Sequence, residues 1–221
     1  MIDAPSEAWL MMTENHLGQK AGKNTPISTR LLNREGEIEY TQAFLEPAVA
    51  DEGFLALREE LDWQEEFIQI AGRRVQVPRR VAWHGEPGAI YRYSGVAHEP
   101  KAWTPALLEL KAQVEAYCGQ HFNSVLGNLY RDGNDAVGWH ADNEPELGPA
   151  PFIASLSLGA ERRFEIRHNK TREILRLPLA HGSLLTMGGC FQSRWKHRIP
   201  RQPGITQPRI NLTFRHIEPS S

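Results

Sequence analysis

Residues Arg209-Ile-Asn-Leu-Thr-Phe-Arg215 alternate without a break: Ile210, Leu212 and Phe214 fall on one side of an extended chain, Arg209, Asn211, Thr213 and Arg215 on the other. Period two over seven residues predicts a strand. The same period recurs upstream in short runs split by turn chemistry: FNSVLGNLY (122–130), FIASLSLG (152–159), RRFEIRH (162–168), REILRLPL (172–179) and GSLLTM (182–187). No helical pattern interrupts them, so the C-terminal half is expected to be an antiparallel sandwich or jelly roll.

Before these strands the period is helical. From Pro47 to Leu61, Val49, Phe54, Leu57 and Leu61 recur near 3.6-residue spacing. In TPALLELKAQVEAYC (104–118), Thr104 is placed to cap, Pro105 to open the first turn, and Leu107, Leu108, Val114 and Tyr117 to form a buried stripe. Both helices are expected to pack outside the strands, giving an α+β, mainly β fold. Residues 1–36 mix Gly, Asn, Ser, Thr and Lys around short apolar clusters and read as an arm, flexible or loosely docked, leaving residues 37–221 as one domain.

The 221 residues, 40% of them hydrophobic, suit a single core. No run approaches the ~18 apolar residues of a membrane span, and MIDAPSE carries acids where a secretory leader carries bases, so no membrane association and a cytoplasmic location are expected. Cys118 and Cys190 form no CxxC, which leaves nitrogen and oxygen as metal ligands. The net charge is −2, but residues 35–66 hold eleven acids against Arg58 alone, so the remainder carries +8. The basic runs RRVQVPRR (73–80) and WKHRIPR (195–201) are either solvated surface or phosphate contacts.

In WHADNE (139–144), His140 and Asp142 lie two apart and share one face of an extended chain, a two-point chelate. With nine histidines and 27 acids in the chain, an HxD alone is a common accident, and a third ligand decides. His197 in WKHRIP is the first candidate; His181, in a His-Gly turn, is the second. Two imidazoles and one carboxylate form a facial triad for non-haem Fe(II) with positions left open. The polar face of 209–215 is either solvated or, with two guanidiniums and an amide in line, a seat for a dicarboxylate, since Arg forks bind carboxylates bidentately. Asn128 and Tyr130 share a face in NLY and are placed to complete that seat.

NLYRDGNDAVGWHADNEPELG, WKHRIP and PRINLTFR, in that order, resemble the AlkB family of Fe(II)- and 2-oxoglutarate-dependent dioxygenases over roughly Tyr40 to Ile217. The resemblance implies a double-stranded β-helix with a nucleotide-recognition lid. It implies Fe(II) on His140, Asp142 and His197, and 2-oxoglutarate with its distal carboxylate on Asn128, Tyr130 and Arg209 and its proximal end near Asn211 and Arg215. It implies oxidative removal of N-linked alkyl groups from bases such as 1-methyladenine and 3-methylcytosine, consuming O2 and giving succinate, CO2 and an aldehyde. The lid corresponds to PRRVAWHGEPGAIYRYSG (78–95), with Arg79 and Arg80 for phosphates, Trp83 or His84 opposite His140 around the base, and Tyr91 alongside; Glu144 would accept from an exocyclic amine. Duplex-active members can carry a bulky apolar finger where this chain has QIAGRR (69–74) with Ala71 at its tip. Ala cannot wedge between stacked bases, so single-stranded DNA or RNA, bound by a monomer, is the expected partner. Two other readings keep parts of the pattern: the same chemistry on a substrate other than nucleic acid, and a nucleic-acid-binding jelly roll without catalysis.

Overall fold

Alternating strands bury both faces only when a second layer covers each of them, and two sheets plus outer helices provide this here. The computed structural model describes residues 28–32, 36–70, 72–93 and 96–218. An eight-stranded sheet runs in the order β1 (Ser28–Leu32), β2 (Glu37–Thr41), β12 (Ser183–Gly188), β9 (Ile153–Gly159), β14 (Arg209–Arg215), β7 (Ser124–Tyr130), β4 (Arg73–Gly85) and β3 (Gln64–Ile70). A four-stranded sheet runs β11 (Ile174–Leu179), β10 (Arg162–His168), β13 (Trp195–Ile199) and β8 (Val137–His140). β5 (Tyr91–Tyr93) and β6 (Val96–His98) form a separate hairpin. Each strand pair is antiparallel, which is the expected jelly roll.

β14 shows how the layers divide. Ile210, Leu212 and Phe214 join an apolar cluster with Leu156 and Leu158 of β9 and with the helices α1 (Pro47–Glu60) and α2 (Pro105–Cys118). Its polar face turns inward between the sheets, and all seven residues are buried. The solvated reading of that face is therefore corrected: solvent is excluded on one side by helices and on the other by the second sheet. A separate cluster, with Phe164, Ile166, Leu177, Leu179, Leu185 and Ile199, fills the deep end of the space between sheets.

Thr104 caps α2 by accepting from the Leu107 amide, Pro105 opens it, and Gly119 closes it at φ 62, the left-handed region where Gly is not strained. The stripe of α2 is Leu107, Leu110 and Val114; Leu108, expected inside, is 50% exposed because the buried face follows i, i+3, i+7 from Leu107. Two further expectations are corrected. The boundary drawn at residue 36 cuts through a hairpin, because Ser28–Leu32 pairs with β2; residues 1–27 of the expected arm lie outside the described residues. Residues 64–85, read piecewise as the end of an acidic stretch, the QIAGRR loop, a basic run and the start of the lid, form β3 and β4 and extend the large sheet, with Pro78 at the point where the β3–β4 register shifts. A proline donates no ladder bond and is tolerated at such a break. Among the described residues no helix is long and apolar enough to cross a membrane.

Candidate active site

Pairing of β13 with β8 sets His197 directly opposite His140, with ring centroids 4.2 Å apart. Asp142 lies just past the end of β8, where its backbone amide donates to Gln192 Oε1 at 3.0 Å, which turns the carboxylate back toward the two rings. His140 Nε2 is 3.9 Å from Asp142 Oδ1, and His197 Nε2 is 3.8 Å from Asp142 Oδ2. One donor atom from each of the three lies within 4.8 Å of the others. His181, the alternative third ligand, is elsewhere: its Nδ1 accepts from the Gly159 amide and its Nε2 faces Asp51.

Protonation suits a cation. His140 Nδ1 is 2.9 Å from the Gly138 carbonyl, which can only accept, so Nδ1 carries the proton and Nε2 presents its lone pair. Burial, and then the nearby His140 ring, push His197 down to about 3, so it is neutral at ordinary pH. Burial alone would raise Asp142, but Arg215 and the two imidazoles outweigh it and hold its carboxyl at about 2. An ionised carboxylate and two lone-pair nitrogens converge, too far apart to satisfy one another by hydrogen bonding. Such a donor set fits Fe(II) and leaves coordination positions open.

The polar face of β14 continues from this point. Arg215 Nη2 donates to Asp142 Oδ1 at 3.0 Å. Asn211 is fully engaged, donating to Ser155 Oγ and the Leu156 carbonyl and accepting from Thr213. Arg209 differs. Its Nη2 donates to Ser157 Oγ at 2.9 Å, while Nε and Nη1 are buried with no hydrogen-bond partner. Burial lowers Arg209 to about 10, which still leaves it charged at neutral pH. A buried guanidinium with unused donors fits the carboxylate of a bound acid such as 2-oxoglutarate. Tyr130, buried beside it, has its ring 5.1 Å from the Arg209 guanidinium carbon. Asn128 accepts from Arg79 Nε at 2.6 Å through Oδ1, which leaves its amide NH2 for the cavity.

These groups line one cavity of about 700 Å³ that also receives Trp83, Arg79 and Glu144. Alternation along β4 sends the neighbouring residues the other way. His84 is 3% exposed, with Nδ1 2.7 Å from the Ala102 carbonyl, and lies outside the cavity wall, as does Arg80. Trp83 is therefore the residue of the pair that meets the cavity. Tyr91 falls on β5, whose side chains lie outside the described residues, as does Ala71.

The sequence reading missed four residues that hold the site. Ser155 and Ser157 face inward from β9 and orient Asn211 and Arg209; the period-two ASLSLG was their signal. Arg162, 1% exposed, donates to the carbonyls of Asp132, Asp135 and Pro200 and pins the loop that leads into β8. Gln192 gives no signal, because its part depends on a turn after β12 that brings it under Asp142.

The profile of the 2OG-Fe(II) oxygenase superfamily matches residues 37–215. The human alpha-ketoglutarate-dependent dioxygenase alkB homolog 3 is 37% identical over 247 residues, covering 97% of this chain and 85% of the relative. The human DNA oxidative demethylase ALKBH2 is 40% identical over 208 residues, covering 89% and 79%. The solved structure of OsALKBH1 superposes with a TM-score of 0.57 at 18% identity, covering 85% of this chain and 99% of that one. A prolyl hydroxylase from Trichoplax adhaerens gives 0.57 at 15% identity, covering 83% and 84%, a likeness of fold.

Proposed function

The chain belongs to the AlkB family within the 2OG-Fe(II) oxygenase superfamily, and from that premise we propose that it removes alkyl groups from base nitrogens such as N1 of 1-methyladenine and N3 of 3-methylcytosine, preferring single strands. It is a dioxygenase that uses Fe(II), 2-oxoglutarate and O2. One observation carries the reading: the His140, Asp142 and His197 donors, the Arg209 guanidinium and the Trp83 indole all open into the same cavity.

His140, Asp142 and His197 would hold the iron, which would supply the oxidation chemistry by which O2 converts the alkyl C–H to C–OH while 2-oxoglutarate becomes succinate and CO2. Arg209 takes the distal carboxylate, with Tyr130 and Asn128 beside it, and Arg79 fixes the Asn128 amide so that its NH2 points inward. Arg215 keeps Asp142 ionised and fixed; Asn211 gives that end its shape. Trp83 and His140 face a flipped base, and Glu144 accepts from its exocyclic amine. The hydroxylated alkyl group then breaks its C–N bond and leaves as an aldehyde, its hydroxyl proton passing to the ring nitrogen. The small side chain of Ala71 in QIAGRR supports the strand preference, because it cannot fill the gap left in a duplex.

The test is coupled turnover: protein loaded anaerobically with Fe(II), then given 2-oxoglutarate, O2 and a single-stranded oligonucleotide with 1-methyladenine or 3-methylcytosine. Stoichiometric succinate and formaldehyde, absent with the unmethylated strand, are expected. Succinate without formaldehyde from any methylated strand overturns the base-demethylation reading.

A further inference from the structure

The outer face of the four-stranded sheet is a second basic surface, separate from the lid. Alternation turns Arg163, Glu165 and Arg167 outward on β10, Arg176 on β11, Lys196 and Arg198 on β13, and Trp139 on β8, while Phe164, Ile166 and His197 point in. Glu165 is paired with Arg176 on one neighbouring strand and Arg198 on the other by register. Its buried carboxylate meets three guanidiniums: Arg198 at 2.6 Å, Arg163 at 3.2 Å and Arg176 at 3.3 Å. One carboxylate cannot neutralise three cations. Arg167 and Arg198 both lie against the Trp139 ring, at 4.2 and 4.4 Å, and Arg167 and Lys196 form no ion pair among the described residues.

Five cations against one carboxylate on three adjacent strands, β11, β10 and β13, is a self-repelling arrangement that an anionic partner relieves. The surface begins beside the cavity, because Trp139 lines its rim and is followed directly by His140. From β8 to β11 it spans three strand spacings, ~14 Å at ~4.8 Å each, the reach of two to four nucleotides. We infer that this face is the track for the single strand flanking the base held in the cavity, with Arg163, Arg167, Arg176, Lys196 and Arg198 on its phosphates and the Trp139 edge at its entrance. The inference rests on the proposed function only for the position of the base; phosphate binding by the face does not require catalysis.

Arg167 and Lys196 are the residues to change, because neither takes part in the Glu165 cluster. Binding of fluorescent dT15 is measured by anisotropy across a salt series for wild type, R167Q/K196Q and R167E/K196E, with thermal melting to show that the fold is kept. The neutral pair is expected to lower the slope of log Kd against log salt by ~1.4, at ~0.7 per contact on a single strand, and the reversed pair to weaken binding roughly tenfold or more. In coupled turnover, a methylated 15-mer is expected to lose kcat/KM in both variants, while a methylated trinucleotide keeps it. Unchanged dT15 affinity and slope in melting-competent variants overturn the inference while leaving turnover, and so the proposed function, intact. Altered dT15 binding without demethylation by wild type keeps the track and sinks the demethylase reading. Polyglutamate competing as well as dT15 at equal charge also overturns the inference, since the face would then suit an acidic protein.

Discussion

Arg215 and Asp142 are joined by a 3.0 Å hydrogen bond between buried side chains, so the Asp142 carboxylate shares its charge with a cation on the eight-stranded sheet. Arg215→Gln is expected to weaken Co(II) or Fe(II) binding by about 10–100-fold, the usual penalty for losing a partner behind a metal ligand. Metal titration of the folded variant checks this; unchanged affinity would show that Asp142 is held without Arg215.

Arg209 makes the opposite case. Its Nε and Nη1 lack a hydrogen-bond partner and only Ser157 and Tyr130 offset its buried charge, so Arg209→Met removes a cation that no carboxylate among the described residues balances. We expect the melting temperature without co-substrate to stay or rise, by the equivalent of up to about 4 kcal/mol. Added 2-oxoglutarate, which at 100 times its Kd should stabilise wild type by about 2.7 kcal/mol, should then shift nothing. Thermal melting with and without the acid reads both effects.

Trp83 and His84 are adjacent in sequence and opposite in space. Trp83→Ala is expected to raise KM for a methylated oligonucleotide by about 5–150-fold, the worth of ~1–3 kcal/mol of base stacking, with metal affinity unchanged. His84→Ala should instead lower the melting temperature and leave KM near wild type, because its imidazole is bonded to the Ala102 carbonyl beneath the sheet. A reversed pattern would exchange their roles.

Glu165 and Asp135 should set the acid limit of the fold. Burial raises each carboxyl, but Arg198 with its neighbours for Glu165, and Arg131 for Asp135, lower it overall. A depressed folded value means stability that is fully present above the unfolded carboxylate range and is lost as pH falls through that range and on through the folded value. Glu165→Gln is therefore expected to destabilise at pH 7 and to flatten the loss of stability below about pH 4. Urea midpoints measured from pH 3 to 7 test the sign.

The sequence showed the strands wherever polar and apolar residues alternate: β7, β9, β10, β11 and β14 lie within the runs read from period two, and β12 runs one residue past its own. The resemblance carried by WHADNE, WKHRIP and RINLTFR put His140, Asp142, His197 and Arg209 at one site, where spacing alone left His181 and a solvated strand face open. The sequence did not show β3 and β4, where Arg73, Arg74, Pro78, Arg79 and Arg80 obscure the apolar signal, nor Gln192, whose contact with Asp142 spans 50 residues. For β4 the inward face was also undecidable from local pattern, since Trp83 and His84 are both plausible partners of a base. Sheet register, a non-local property, chooses between them.

β14 carries its apolar residues toward the helices and its arginines toward the cavity, with none of its seven positions open to water. A slip of one residue in its pairing with β7 and β9 would therefore thrust two guanidiniums into the helix-facing core and empty the co-substrate seat in the same movement. No near-native misregistered form is left for this strand to occupy, so folding itself proofreads the catalytic constellation: a chain that has closed its core has already assembled its chemistry.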